Sequence, residues 1–363
     1  MARTDRRLYL IPVLSKALDI LELLQNSTHP LTLAELHAKT RFSKTTVYRV
    51  MKTFVHRGYV AQLPDGSYRH VARQRKLCFG FAGQSGEMPF SNEVTASLKE
   101  AATRAGVELL VLDNRYDPKT AVENAEELIR RRVDLAIELQ VDEEVAPIIG
   151  SKIAGANIPL IAVDIPHPNA VYFGVDNFRV GFEAGALLAR HAQEEWNGRV
   201  SWILGLDLPE AGQLVQSRVS GAFEAVRSAL PNTPAESFVR MDGRGLFDRS
   251  QKLVAEFLSA HPKDRHILIA AATDTSALGA VAAIRAAKRE KQVAVVGQDC
   301  IAEAVAEMKR PNSSLIGTVS HEAASYGPAL VVLGMSMLRG LTVPPYNYVT
   351  HKTVTRESLA EKA

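Results

Sequence analysis

The chain has 363 residues, more than a single hydrophobic core usually serves, so two or three domains are expected. Hydrophobic residues make up 46% and charged residues 23%, which excludes a disordered or fibrous chain, and two lone cysteines, Cys78 and Cys300, exclude a disulfide framework or a paired-cysteine metal site. The net charge is only +3, yet residues 1–75 hold 13 Lys/Arg against 5 Asp/Glu, net +8, leaving −5 for the remainder, so a polyanionic partner is expected at the N-terminal end alone.

The chain opens on Arg3, Arg6 and Arg7, followed by an apolar run, Leu8 to Leu14, that contains Pro12 and gives way at once to Lys16 and Asp19. This run is too short for a signal peptide, and no stretch is long enough to span a bilayer, so a cytoplasmic protein without a membrane partner is expected. Leu14, Ala17, Leu18, Leu21 and Leu24 share one face at helical spacing and predict a helix over Ser15 to Gln25 with Ser15 as its cap. Asn26 to Pro30 breaks it. Thr32 caps a second helix, Leu33 to Lys39, and Ser43 caps a third, Lys44 to Arg57. On the third helix Val47, Val50, Met51 and Phe54 form the inward stripe, leaving Lys44, Thr45, Thr46, Tyr48, Arg49, Lys52 and Thr53 exposed. Gly58 ends that helix. Two β-rich stretches, Tyr59 to Leu63 and Ser67 to Val71, then flank the turn Pro64-Asp65-Gly66, a hairpin signal. Helix, helix, turn, helix, hairpin is the order of a winged helix-turn-helix, in which the third helix enters the DNA major groove.

The ordered pieces Leu14-Ser-Lys-Ala-Leu-Asp-Ile-Leu-Glu-Leu-Leu, Leu31-Thr-Leu-Ala-Glu-Leu, Ser43-Lys-Thr-Thr-Val-Tyr-Arg-Val-Met and Arg57-Gly-Tyr-Val resemble the DNA-binding domain of the IclR family of bacterial regulators. The resemblance runs from about Leu14 to Val71. It implies that Ser43, Lys44, Thr45, Thr46 and Arg49 face DNA, with Arg41, Lys52 and the wing residue Arg69 near phosphates. The threonine hydroxyls suit either bases or phosphates, and equally suit the plain role of solvating a helix.

From Lys76 onward, apolar β-rich runs alternate with amphipathic helices. Strands are predicted over Leu77 to Ala82, Val107 to Leu112, Leu135 to Leu139, Leu160 to Val163, Val171 to Val175, Val200 to Leu204, Phe238 to Met241, Ile267 to Ala271, Val293 to Val296 and Leu315 to Val319. Near-continuous apolar strands separated by helices call for parallel sheets with helices on both faces, and ten strands suit two sheets. The expected fold class is α/β, a two-lobed effector domain of parallel sheets flanked by helices, preceded by the winged helix-turn-helix. The expected division is 1–72 for DNA binding, a linker at 73–76, and an effector domain at 77–355. Its first lobe takes about 77–174 and 322–349, its second about 175–321 and 350–358.

Ligands in open α/β sheets sit beyond the strands' carboxyl ends. Polar residues gather there: Gln84 to Glu87, Asp113, Glu138 and Gln140, Asp164, Asp176-Asn177, Asp207, Asp242, Thr273-Asp274, Gln298-Asp299 and His321. Carboxylates and amides in this number suit a ligand rich in hydroxyls. The segments Met88-Pro-Phe-Ser, Leu110-Val-Leu-Asp113, Ile158-Pro-Leu-Ile-Ala-Val-Asp164, Val175-Asp-Asn177, Thr273-Asp-Thr-Ser-Ala-Leu-Gly279, Val295-Val-Gly-Gln-Asp299 and Thr318-Val-Ser-His321, with Arg218, Gly221 and Phe223, resemble the periplasmic sugar-binding proteins of the ribose-binding type (periplasmic binding protein-like I) and the effector domains of the LacI/GalR repressors.

That resemblance implies a pocket of Phe90, Glu138, Asp164, Arg218, Thr273, Asp299 and His321, with Glu87 and Phe247 at its margin. Ile165 stands where the ribose-type pattern has an arginine, Thr273 and Glu138 where it has asparagines, and His321 where it has a glutamine. Ribose itself is thereby disfavoured, leaving another pentose, a deoxy sugar, a sugar acid or a polyol. The resemblance also implies three crossings between lobes, near Gly174 to Asn177, Ser320 to Ala323 and Val349 to His351, around which a ligand closes the cleft.

No nucleotide loop, zinc-protease or serine-hydrolase motif is present, so neither catalysis nor a cofactor or metal is expected. The expected protein is a homodimeric transcription regulator whose affinity for operator DNA responds to a sugar-like small molecule. The alternative is a ligand-independent DNA-binding protein whose effector-like domain only dimerises.

Overall fold

The computed structural model describes residues 11–71 and 76–360, which divide into two compact units on either side of residue 75. Arg3, Arg6, Arg7 and residues 73–75 of the expected linker lie outside the described residues.

The first unit contains α1 (Pro12–Gln25), α2 (Leu33–Thr40), α3 (Lys44–His56), β1 (Val60–Gln62) and β2 (Tyr68–His70). Helix α1 begins three residues before the predicted Ser15 cap: Pro12 takes the first helical position, where its fixed φ and missing N–H are tolerated, and Ile11 provides the cap backbone. Helices α2 and α3 start as the side chains dictate. Thr32 and Glu35 form a reciprocal capping box, and the Ser43 hydroxyl accepts from the Thr46 amide at 3.2 Å. The strands pair antiparallel around Asp65-Gly66, where Gly66 adopts φ +80°, open to glycine at no steric cost. Ile20, Leu36, Val47, Met51 and Tyr68 are fully buried between the helices and the hairpin.

The second unit runs β3 (Cys78–Gly83), α4 (Pro89–Ala105), β4 (Glu108–Asp113), α5 (Pro118–Arg130), β5 (Leu135–Leu139), α6 (Ala146–Gly155), β6 (Leu160–Val163) and β7 (Ala170–Gly174). It continues through α7 (Asn177–Trp196), β8 (Trp202–Asp207), α8 (Gly212–Ala229), β9 (Phe238–Asp242), α9 (Phe247–Ala260), β10 (Ile267–Ala271), α10 (Asp274–Ala286), β11 (Val293–Asp299), α11 (Ala302–Met308) and β12 (Leu315–Ser320). Helix α12 (Ala323–Leu338), strands β13 (Tyr346–Tyr348) and β14 (Lys352–Thr355) and helix α13 (Arg356–Ala360) close the chain.

The strands form two six-stranded sheets, ordered β13-β7-β6-β5-β3-β4 and β14-β12-β11-β10-β8-β9. The first is wholly parallel; in the second only β14 runs antiparallel, against β12. Both faces of each sheet are covered by apolar clusters, as parallel sheets require. The sheets define two lobes, and the chain passes between them after β7, after β12 and between β13 and β14. Each predicted strand is present; β5, β6 and β10 have the predicted bounds, and the ends of the others are displaced by at most three residues. The two edge strands β13 and β14, of three and four residues, were not anticipated, being too short to carry a periodic signal.

Candidate functional site

On α3 the buried stripe is Val47, Val50 and Met51, and Ser43, Lys44, Thr45, Tyr48, Arg49 and Lys52 are exposed. Arg41, in a left-handed conformation at the end of α2, and Arg69 on β2 are exposed as well. None of Arg41, Lys44, Arg49, Lys52 and Arg69 pairs with an acidic side chain among the described residues, so their charge is available to a partner. Lys52 lies over the Tyr48 ring, 5.7 Å from its centroid. Thr46 differs from the rest: it is half-buried, and its hydroxyl lies 2.8 Å from that of Ser43, so both serve the helix start.

In the second unit a cavity of about 60 Å³ lies between the lobes at the carboxyl ends of the strands. Of the residues predicted to line it, Phe90, Asp164, Arg218, Thr273 and Asp299 do so. Asp164 follows β6, Asp299 ends β11, and Arg218 reaches in from the middle of α8. Both aspartates hold left-handed backbone conformations, φ +62° and +106°, and Cys300 follows at +64°. Such angles are uncommon for side-chain-bearing residues and concentrate where function fixes the chain.

Arg218 is buried and is held by its Nε donating to Asn177 Oδ1 at 2.6 Å and its Nη1 donating to the Ala272 carbonyl at 3.0 Å. Two of its five donors are thus used in fixing the guanidinium. Asn177 in turn donates to the Tyr172 hydroxyl at 3.3 Å and sits at the crossing into α7, so the cavity arginine is tied to an interlobe strand. The Asp164 Oδ1 is buried without a hydrogen-bond partner, and a Cβ at Gly174 would collide with it, which is why that position needs a glycine. Burial pushes the Asp164 carboxyl up, opposed by the Arg218 charge, and pushes Asp299 well up, opposed by Arg218 and reinforced by Asp274 and Asp164.

Four predicted residues lie elsewhere. His321 is fully buried behind Asp299, with Nδ1 at 3.2 Å from the Asp299 Oδ1, Nε2 at 3.0 Å from Gln298 Oε1, and Phe90 packed edge-on against its ring. Burial, then the nearby Arg218 charge, holds its imidazole well below the usual range. The Nδ1 contact is therefore that of a neutral ring beside a buried carboxyl, not an ion pair. Glu138 shares the Ala136 face of β5, opposite Leu139, which does line the cavity; among the described residues its side chain accepts from Asn114 alone, at 3.5 Å, and burial raises its carboxyl strongly. The Glu87 side chain is exposed, and Phe247 opens α9 with its ring half in solvent.

Several lining residues were not predicted. Tyr116 follows β4 in a left-handed turn with Arg115, φ +56° and +53°, and its hydroxyl donates across the cleft to the Arg244 carbonyl at 2.8 Å. Gln140, named from the sequence among the polar residues at the strand ends, also lines the cavity, but its amide is folded onto the Asp142 backbone. Ile165, Leu208, Ala211 and Val215 form an apolar wall drawn from both lobes. Asp274, fully buried below the cavity, accepts from Thr318 at 2.7 Å and from the Ile301 amide at 2.9 Å, pinning the chain around Asp299. Among the described residues no cluster of His, Cys, Asp or Glu is arranged to hold a metal ion, and no helix is long and apolar enough to cross a membrane.

Two parallel-sheet lobes joined by three crossings, with a polar cleft between them, define the class of hinged ligand-binding domains, here preceded by a winged helix-turn-helix. The comparisons with known proteins agree: the chain belongs to the periplasmic binding protein domain family, whose model matches residues 79–342, and residues 13–64 match the IclR helix-turn-helix domain. The chain is 27% identical over 260 residues to the ribose import binding protein RbsB of Haemophilus influenzae, covering 69% of this chain and 82% of that protein. Among solved structures it is similar to an ABC transporter periplasmic solute binding protein from Actinobacillus succinogenes with bound D-allose, at 20% identity and a TM-score of 0.69, covering 79% of this chain and 100% of that one. A solute binding protein from Mycobacterium smegmatis with bound glycerol gives 22% identity and a TM-score of 0.70, covering 79% and 96%.

Proposed function

We propose that this chain is a cytoplasmic, sequence-specific transcription regulator whose affinity for operator DNA is set by a monosaccharide or related polyol bound between the lobes. The observation that carries this reading is the pairing in one chain of an IclR helix-turn-helix domain with a hinged cleft in which Asp164, Arg218 and Asp299 face one cavity. The unpaired cations of α3 supply attraction to phosphates, and Arg49, Lys44 and Thr45 supply the groups that read bases. Arg41, Lys52 and Arg69 contact the backbone, while Ser43 and Thr46 present the helix N-terminus. A homodimer places two such helices on two half-sites, since one module alone makes few contacts. In the cleft, Asp164 and Asp299 receive hydroxyl protons, Arg218 donates, and Phe90 covers a ring face. No catalytic step is assigned to these groups.

Ligand control requires the cleft occupant to favour one arrangement of the dimer over another, and the coupling is no larger than that difference in affinity. The test has two stages. Duplexes selected from a random pool fix the operator, and titration calorimetry against a monosaccharide and polyol panel finds the ligand. A ligand that changes operator affinity supports the proposal. Operator binding unchanged by every bound sugar, or no binding from the whole panel, overturns ligand control and leaves a ligand-independent DNA-binding protein whose second unit dimerises.

A further inference from the structure

The cavity is divided by chemistry into a polar corner and a larger apolar wall. Arg218, Asp164 and Asp299 make the corner, and they keep hydrogen-bonding capacity: three of the arginine's donors and the Asp164 Oδ1 remain unused. Of the other polar groups on the lining, Tyr116, Gln140 and Thr273 are engaged with the protein itself, whereas Gln84 and Thr275 also line the cavity without a side-chain hydrogen bond among the described residues. Tyr116 donates to the Arg244 carbonyl, Gln140 is folded onto Asp142, and the Thr273 hydroxyl accepts the Ser276 amide at 3.1 Å as the cap of α10. Outside the corner a ligand therefore meets Gln84 and Thr275 as the remaining free polar side chains of the lining.

Facing the corner are Leu139, Val141, Ile165, Leu208, Ala211 and Val215, all 2–6% exposed. Ile165 comes from the first lobe, and Leu208, Ala211 and Val215 from the second, and these four belong to a single buried cluster. The wall exists only where the lobes meet, so closure itself buries it. A hydroxyl pressed on this wall would lose its water without gaining a partner, at a cost of roughly 1–3 kcal/mol on protein mutational scales, whereas a methyl group there is favourable. The corner also sets the ligand's charge. One guanidinium already stands against two carboxyl groups, so an added carboxylate would enter a site with no spare cation.

We propose that the cleft takes an uncharged deoxy sugar, its hydroxyls at Asp164, Asp299 and Arg218 and its deoxygenated carbon against Ile165, Leu208 and Val215. This deepens the sugar-type reading above and rests on it. The full chain is titrated calorimetrically with matched pairs: L-fucose and L-galactose, L-rhamnose and L-mannose, 2-deoxy-D-ribose and D-ribose, with D-galacturonate as the acid. The expected result is a deoxy sugar bound about 10–200-fold more tightly than its hydroxylated parent, the range a single small group commands in an apolar pocket, with no heat from the acid. Val215→Thr, which places a hydroxyl on the wall at nearly constant volume, is expected to draw that ratio toward one while leaving the melting temperature within a few degrees. A parent sugar bound as tightly as its deoxy partner, or the acid bound best, overturns the deoxy assignment and leaves the sugar reading standing. No binding by any carbohydrate overturns both.

Discussion

The exposed face of α3 and the cleft between the lobes both gather charged side chains, but they hold them in opposite ways. Along α3 the cations stand in water, without acidic partners among the described residues. In the cleft Arg218 and two aspartates are buried together, the arginine fixed by Asn177 and the Ala272 carbonyl and the aspartates carried on left-handed backbone. Dispersed exposed charge gives salt-dependent, nearly additive attraction, whereas a buried cluster gives few interactions, each dependent on the others.

The largest break in this contrast comes from Arg218→Leu. Its loss leaves Asp164 and Asp299 buried without a cation and frees Asn177 at the crossing; truncating one member of such a buried group costs about 3–5 kcal/mol. Ligand heat should vanish in calorimetry, and operator binding in the absence of ligand should stay within about threefold of the unsubstituted chain. The two aspartates are expected to be non-additive with it: Asp164→Asn in the Arg218→Leu background should cost less than in the original chain, as a double-mutant cycle measures.

Proton linkage supplies the next. Burial raises the Asp274 carboxyl from its ordinary value of 3.8 to about 7. The folded protein therefore keeps a proton that the unfolded chain releases, and stability from this group falls as pH rises from about 4 to 7. Asp274→Asn keeps the neutral shape and removes the titration. Melting temperatures from pH 4.5 to 7.5 should decline less in the variant, with the difference in slope corresponding to about one proton at most. Equal slopes would place the raised group elsewhere, at Asp299 or Glu138. The exposed cations of α3 should contribute nothing to this difference.

Arg49→Ala tests the other side. Operator affinity should fall by about 1–3 kcal/mol, with discrimination relaxed at one base pair, if the guanidinium reads a guanine edge. Uniform weakening on all duplexes, accompanied by a smaller salt slope, would instead make it a phosphate contact. Ligand binding to the cleft should not change in either case.

The contrast also explains what the sequence made legible. The succession of elements along the chain, the third helix and its cap, and the aspartates at the ends of β6 and β11 follow from local pattern, because period, capping residues and strand ends are properties of contiguous residues. Glu138 was misplaced because strand parity, not the strand's end, decides which face a side chain takes: Leu139 is among the residues lining the cavity and Glu138, on the other face, is not. His321 was one layer out, supporting Asp299 from behind. Tyr116 was missed because a left-handed turn at Arg115 and Tyr116 carries no periodic signal, and its partner lies 128 residues further along the chain. The apolar wall was illegible for the same reason: Ile165 and Val215 become neighbours only when two lobes meet.

Tyr116 provides the smallest and most discriminating test. Its hydroxyl bridges the lobes through one neutral hydrogen bond to a carbonyl, so it belongs to neither the exposed charges of α3 nor the buried charges of the cleft. Tyr116→Phe keeps the ring on the cavity and removes only that bond, worth about 0.5–1.5 kcal/mol. Because the bond forms only when the lobes approach, its loss should appear as faster ligand release, with the dissociation constant rising by up to about tenfold. Stopped-flow release should show the change, and it should be independent of ionic strength, unlike any effect on operator binding. A tyrosine that served only as a wall would leave the release rate unaltered, since phenylalanine supplies the same wall.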